Sequence, residues 1–437
     1  MDYDNKINLG TWKKDLRLYV HVPFCIKKCN YCDFLSAPSK EEQINAYFEA
    51  LYKEIESYKG RTDDYVISSV YIGGGTPSCV DSEKIVRVME ELKKVFRFKE
   101  NNNNVICQRS CNEINKEAEI SIEINPGTIS ATGINRKKLS DYKNAGINRL
   151  SFGLQSTHDH ELKLLGRIHT YFQFEENYYL ARETGFKNIN IDLMSGLPGQ
   201  TLKTWEESLI KTALLKPEHI SAYSLIIEEG TPFYEIYGPD GPDSHRLPSE
   251  DLDREMYKRT KELLFSYGYE RYEISNYAQP GFECRHNLAY WEPADYLGLG
   301  LGSASLIENT RFHNTFSLHE YIYKIGRNAN SSVLSLNADN QNKNLLLLDY
   351  FGIREDTEVL SKAQQMEEFM FLGLRKTKGV SIQGFYEKFG VTIDEIYGST
   401  VNNLKNQGLI ESDNERIWLT DFGVDVSNRV LAEFLFN

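Results

Sequence analysis

Leu18-Tyr19-Val20-His21-Val22-Pro23-Phe24-Cys25-Ile26-Lys27-Lys28-Cys29-Asn30-Tyr31-Cys32-Asp33-Phe34 is the stretch that decides the fold: a short apolar run followed at once by three cysteines spaced CxxxCxxC. The run reads as a strand that delivers a ligand loop. Three thiolates within eight residues let that loop wrap a cubane iron-sulfur cluster, whose irons take cysteine sulfur. One iron is then left without a protein ligand, and an open coordination position separates a site that takes up a substrate or cofactor from a closed structural one. Spacing alone leaves two alternatives: a zinc knuckle, to which His21 on the preceding strand is a candidate fourth ligand, or three thiols without metal.

The chain has 437 residues, enough for two or three domains, and its 41% hydrophobic content is that of an ordinary globular protein. Fifty Lys and Arg against 63 Asp and Glu give a formal net charge of −13, which argues against a nucleic-acid partner bound through phosphate contacts. No run of about 18 apolar residues is present to span a membrane, and Met1-Asp2-Tyr3-Asp4-Asn5-Lys6 lacks the basic-then-apolar layout of a signal peptide. A cytoplasmic protein is expected. Seven cysteines, three of them clustered, suit a reducing compartment and a metal site better than a disulfide framework.

Working outward from the cysteines, strand and helix patterns alternate. Strands are predicted at Val66 to Ile72, Ala118 to Ile124, Arg149 to Gly153, Asn188 to Leu193 and His219 to Leu225. Helices are predicted at Glu41 to Tyr58, Ser82 to Phe96, Arg136 to Ala145, His158 to Leu165 with Phe172 to Thr184, and Leu202 to Leu215. Six strand-helix units in succession predict an α/β fold, a parallel sheet curled into a partial (β/α)6 barrel over residues 17–235. Residues 1–16 read as a tail. Residues 99–116, with Asn101 to Asn104 in a row and Cys107 and Cys111 beyond, read as a surface insertion carrying incidental thiols. Pro232, Pro239, Pro242 and Pro248 mark the exit into an α+β extension over 236–360, with a helix at Asp251 to Tyr267 and strand character at Tyr269 to Ile274. Within it, Asp295 to Ser305 has glycines at alternate positions but lacks the strand-turn-helix context of a dinucleotide fingerprint, so it reads as a close-packed loop or strand. Residues 361–437 read as helices followed by a short hairpin, a winged-helix-like domain whose acidity points to a packing or partner surface.

In such barrels the site lies at the C-terminal ends of the strands. Gly73-Gly74-Gly75-Thr76-Pro77 ends the second strand, where glycines let backbone approach a ligand. Glu123, Gln155, Asp192 and Tyr223-Ser224 fall on or just after later strands, and Arg167 follows the Gln155 loop. Each is costly in a strand unless paired or facing a cavity. Together they read as one pocket with the cysteines.

The aromatic Tyr31 before the third Cys makes this motif similar to the signature of the radical S-adenosylmethionine (SAM) superfamily. Tyr19, six residues before Cys25, and His21-Val22-Pro23-Phe24-Cys25 resemble its oxygen-independent coproporphyrinogen III oxidase-like family. That family holds an oxidase with CxxxCxxCxC and a haem-chaperone type with Phe at the fourth position, and this chain has Phe34 there. The resemblance implies a radical SAM barrel with a [4Fe-4S] cluster on Cys25, Cys29 and Cys32. It implies SAM held by Tyr19, Gly74, Gly75, Thr76, Glu123, Gln155, Arg167, Asp192 and Ser224. His286-Asn287-Leu288-Ala289-Tyr290-Trp291 is similar to the HNxxYW motif of the chaperone type and implies haem contacts by His286, Tyr290 and Trp291, with Cys284 a candidate second ligand. His313 has no role in this reading. No catalytic residue is assigned. The function implied is binding of haem and its transfer to an unidentified acceptor protein; the rival is oxidative decarboxylation of coproporphyrinogen III.

Overall fold

The computed structural model describes residues 13–100, 117–128, 136–328 and 345–436. Cys107, Cys111 and most of the 99–116 segment lie outside these residues, as does most of the N-terminal tail. Strands β1 (Lys14–Val22) and β2 (Tyr65–Gly74) are joined through helix α1 (Glu41–Ser57), and α2 (Ser82–Val95) leads to β3 (Glu119–Ile124). Then come α3 (Arg136–Asn144), β4 (Arg149–Gln155), α4 (Asp159–Leu164), α5 (Tyr171–Glu183), β5 (Ile189–Ser195), α6 (Leu202–Leu214) and β6 (His219–Ser224). The six strands pair in parallel and in chain order, as the alternation predicts.

Period-two patterning fixes which way each strand faces. Leu16, Leu18, Val20 and Val22 on β1, Ile120, Ile122 and Ile124 on β3, and Leu150, Phe152 and Leu154 on β4 are buried in the main apolar cluster with helix residues such as Leu51, Val88, Leu139 and Leu209. The alternate positions are polar: Tyr19 and His21; Ser69 and Tyr71; Glu119, Ser121 and Glu123; Arg149 and Ser151; Asn190 and Asp192; His219, Ser221 and Tyr223. They face the barrel interior, where many of them hydrogen-bond to one another across strands.

The extension closes the sheet at both edges rather than forming a layer of its own. Beyond α7 (Pro232–Tyr237) and α8 (Glu250–Ser266), the short β8 (Asn276–Ala278) adds antiparallel to β6, and β7 (Glu270–Arg271) adds antiparallel to β8 at the edge. The strand character read at Tyr269 to Ile274 is thus shortened to Glu270–Arg271, and β8 lies beyond it. After α9 (Arg285–Tyr290), β9 (Tyr296–Leu299) pairs in parallel with β1, and β10 (Ala304–Ile307), β11 (Thr310–Asn314) and β12 (Arg354–Val359) continue outward. The alternate glycines are needed for this fit: a Cβ on Gly298 would stand 2.3 Å from the Ala304 carbonyl oxygen, and one on Gly300 2.4 Å from the Tyr47 hydroxyl.

One buried carboxyl fastens this edge to the barrel. Glu54 on α1, 2% exposed, accepts from Gly300 N (2.8 Å), from Asn314 Nδ2 (2.7 Å) and from the hydroxyl of Tyr321 on α10 (Leu318–Asn328). The C-terminal part has its own core, including Met370, Phe385, Tyr397 and Phe434. It comprises α11 (Lys362–Gly373), β13 (Val380–Ser381), α12 (Ile382–Phe389), α13 (Ile393–Asn406), β14 (Ile410–Ser412), β15 (Arg416–Leu419), α14 (Asp421–Asp425) and α15 (Ser427–Ala432), with strand order β13-β15-β14. That is the helices-then-hairpin arrangement read from the sequence.

Glu54→Ala leaves Tyr321 Oη and Gly300 N buried without an acceptor. It should lower unfolding free energy by about 3 kcal/mol in a denaturant titration. A loss below about 1 kcal/mol would show that the extension edge is held by other contacts.

Candidate functional site

The C-terminal ends of the strands open into a cavity of about 430 Å³, a volume suited to a small-molecule ligand. Cys25, Cys29 and Cys32 line it, together with Gly74, Gly75, Thr76, Glu123, Gln155, Arg167, Asp192 and Ser224. Eight of the nine residues expected around SAM therefore share one cavity with the three cysteines. Tyr19 stands behind the wall, its ring 6.4 Å from that of Tyr71 and stacked on it.

The cysteine loop is held from several sides. Arg167 Nη1 donates to Cys29 Sγ (3.5 Å) and Nη2 to the Gly153 carbonyl (2.5 Å), so one guanidinium ties the loop to β4. Thr76 Oγ1 lies 3.6 Å from Cys25 Sγ. A Cβ on Gly75 would come within 2.6 Å of the Phe24 carbonyl oxygen and 3.0 Å of Cys25 Sγ, so only glycine lets β2 and the loop approach this closely. The part-exposed thiols of Cys25, Cys29 and Cys32 line a common cavity and are the donor type of an iron-sulfur cluster, although among the described residues they are not drawn together into a ready-made metal-holding group. His21 is placed otherwise than a zinc site requires. Its Nε2 lies 2.9 Å from the Leu35 carbonyl and must donate to it, which leaves Nδ1 to accept from Tyr19 Oη at 2.9 Å. Both ring nitrogens are engaged.

Deeper in the wall the polar groups are interlocked. Glu123 accepts from Tyr71 Oη (3.0 Å) and Gly74 N (3.1 Å). Burial, and then the neighbouring Asp192 carboxylate, push it up to about 7 against those two bonds. Asp192 accepts from Asn190 Nδ2 (2.7 Å) and Ser151 Oγ (3.2 Å). Gln155 has φ of 74°, a left-handed conformation unusual for a side-chain-bearing residue, at a register shift between β4 and β5. The bend sets its Oε1 to accept from Tyr223 Oη at 2.9 Å. Ser224 donates to Asp253 on α8 at 3.0 Å. Phe34, 61% exposed, stands at the lip of the cavity.

The HNxxYW segment lies at the opposite end, where it plugs the barrel floor. Glu119, the first residue of β3, accepts from the backbone N of Arg285 (3.3 Å) and of His286 (3.1 Å) and from Cys284 Sγ (3.4 Å), so a carboxylate caps the N-terminus of α9. His286 Nδ1 bonds Ser69 Oγ at 2.9 Å, Nε2 faces Tyr290 Oη at 3.3 Å, and the ring stacks on Tyr71 at 5.3 Å. His286, expected as a haem contact, is enclosed here and only 1% exposed. Burial, reinforced by the positive field of Arg17 and Arg149, pushes its imidazole down to about 3, so the ring is neutral. Trp291 lies under the Arg375 guanidinium of the C-terminal part at 4.6 Å. Cys284 is fully buried, and His313 bonds Asp356 (3.0 Å) away from either end.

Sequence reading missed Tyr71, Asn190, Asp253 and Arg149. The signal for all but Asp253 was present as polar residues at every second position of β2, β4 and β5.

Residues 19–210 match the family model described as Radical SAM superfamily, and residues 360–426 that of the HemN C-terminal domain. The chain is 34% identical over 417 residues to the Heme chaperone HemW of Bacillus subtilis (strain 168), covering 95% of this chain and 98% of that one. It is 34% identical over 419 residues to the Heme chaperone HemW of Lactococcus lactis subsp. lactis (strain IL1403), covering 96% and 97%. The solved structure of coproporphyrinogen III oxidase (HemN) from Escherichia coli, a radical SAM enzyme, superposes with a TM-score of 0.74 over 97% of this chain and 90% of that chain; at 23% identity this concerns the fold.

Folded Glu123 keeps a proton between pH 4.5 and about 7 that the unfolded chain has released, so its contribution to stability falls as pH rises through that window. Glu123→Gln should therefore stabilise the metal-free protein by roughly 2 kcal/mol at pH 8 and hardly at all at pH 4. An equal effect at both pH values would contradict a raised Glu123.

Proposed function

Because this chain belongs to the family of the heme chaperone HemW, within the radical SAM superfamily, we propose that it binds haem and passes it to an acceptor protein. The observation that carries the reading is full-length similarity to HemW proteins in a chain that puts Phe34, not a fourth cysteine, at the lip of the cavity. Cys25, Cys29 and Cys32 would hold a [4Fe-4S] cluster. Arg167, already bonded to Cys29, would neutralise charge on the cluster sulfurs and meet a carboxylate. Gly74, Gly75 and Thr76 offer backbone at close range, Glu123 an acceptor for an amino group, and Gln155, Asp192 and Ser224 partners for ribose hydroxyls. Tyr19 supports this wall through Tyr71. Cluster and SAM supply electron-transfer chemistry when bound; the chain's residues position them and exclude bulk water.

His286, Tyr290 and Trp291 are proposed as the haem contacts. With Nδ1 donating to Ser69, the imidazole keeps its lone pair on Nε2, the arrangement of a metal-ligating histidine oriented by a second bond. The longer contact to Tyr290 is the one that iron would replace. Access requires α9 to shift from the floor, and the helix is held there by Glu119 on one side and by Arg375 over Trp291 on the other. A chaperone needs a site that opens and recloses, because it must release what it binds. We take the chain itself to act in the cytoplasm, the acceptor to be an unidentified protein, and the domain limits to be those read from the sequence.

Three measurements test this. Cys29→Ala should lose most of the iron on anaerobic reconstitution, whereas Cys79→Ala, whose Sγ bonds the Phe24 carbonyl one residue from Cys25, should keep it; equal losses would refute the three-cysteine assignment. His286→Ala should shift or abolish the Soret band of the haem complex with cluster iron intact, and an unchanged spectrum would remove His286 from the haem site. The reconstituted protein with SAM and a reductant should not convert coproporphyrinogen III to protoporphyrinogen IX, and turnover seen by product mass would favour the oxidase.

A further inference from the structure

Arg149, the first residue of β4, is 1% exposed and sits among the polar side chains of the barrel interior. Buried guanidinium groups are normally matched by a carboxylate or saturated with hydrogen bonds. Among the described residues its side chain makes neither, and its Nε is enclosed with no partner. The carboxylates in its field are engaged elsewhere. Both oxygens of Glu119 cap the start of α9, and those of Asp192 take Asn190 and Ser151. Ser121, which pairs with Arg149 in register across β3 and β4, has a hydroxyl that is likewise buried and unpartnered.

This cation faces space. Arg149 lines the same cavity of about 430 Å³ that the cysteines enter from the other end, and Asn276 and Asn287 line it as well. Arg149 lies four residues down β4 from Gly153, where Arg167 is bound, so the backbone points that hold the two side chains are about 13 Å apart. They line one cavity from different levels of β4. A planar fork of N–H donors that faces the cavity, with no protein carboxylate bonded to it, matches a carboxylate in charge and shape.

We propose that Arg149 forms a carboxylate-binding subsite at the floor of the barrel, distinct from the cluster end of the cavity. The ligand is a carboxylate group, free or carried on a larger molecule. Arg149 faces this cavity whether or not haem binds at HNxxYW.

The test uses the full-length reconstituted protein and sodium propionate as probe, against sodium chloride at matched ionic strength, read as the thermal midpoint. Propionate should raise the midpoint saturably in the wild-type protein, with half-saturation shifted by about tenfold or more in Arg149→Met and partly recovered in Arg149→Lys. If Arg149→Met does not fold, Asn287→Leu, which narrows the cavity while keeping the charge, should produce the same loss. A wild-type protein that shows no saturable response, or variants that respond as it does, would overturn the proposal and leave Arg149 solvated by cavity water. Repeating the titration with SAM present separates the sources: an additive response marks a free carboxylate, and a response abolished by SAM, with SAM itself binding more weakly to Arg149→Met, marks the carboxylate of that ligand.

Discussion

Alternation along six parallel strands puts aliphatic side chains against the helices and polar ones inside the barrel, and every functional feature of this molecule depends on that choice. An interior lined by Tyr, Ser, Glu, Arg, Asn, Asp and His cannot collapse into an oily plug as a barrel packed with Val and Leu would. Each polar group must find a partner across strands or face a cavity. The network Tyr71 to Glu123 to Gly74, and the chain His219 to Asn190 to Asp192, show the first solution. The cavity beneath the cysteines, with Arg149 at its far end, shows the second.

The interior thereby joins two ends that the sequence keeps far apart. At one, the CxxxCxxC loop is bound by Arg167 and by the close approach of Gly75. At the other, HNxxYW closes the floor through Glu119 and Ser69. Tyr71 touches both, giving its hydroxyl to Glu123 and its face to His286. The segment proposed to bind haem thus lies between the barrel floor and the C-terminal part, under Arg375, where a movement of either would reach it.

Local patterns in the sequence revealed the six units, the cysteine loop and the C-terminal hairpin, because a strand, a ligand loop and an amphipathic helix are each written within about twenty residues. The pocket residues were legible as polar interruptions at strand ends, and the structure brings all but Tyr19 to one cavity. What escaped reading is long-range. Nothing near Tyr296 says that β9 pairs in parallel with β1, and nothing near Glu54 says that its partners are Gly300, Asn314 and Tyr321. The burial of His286 was hidden for the same reason: its environment is made by Ser69, Tyr71 and Glu119, all remote in sequence.

In the function proposed, one chain carries a cluster at one end of its barrel and receives haem at the other. The most direct test is anaerobic titration of the cluster-loaded protein with haem, followed by absorbance in the Soret region and by iron and sulfide analysis of the isolated complex. The account predicts a saturable Soret band at one haem per chain with cluster iron and sulfide fully retained. Haem that binds without saturation, or only as the cluster is lost, would contradict it.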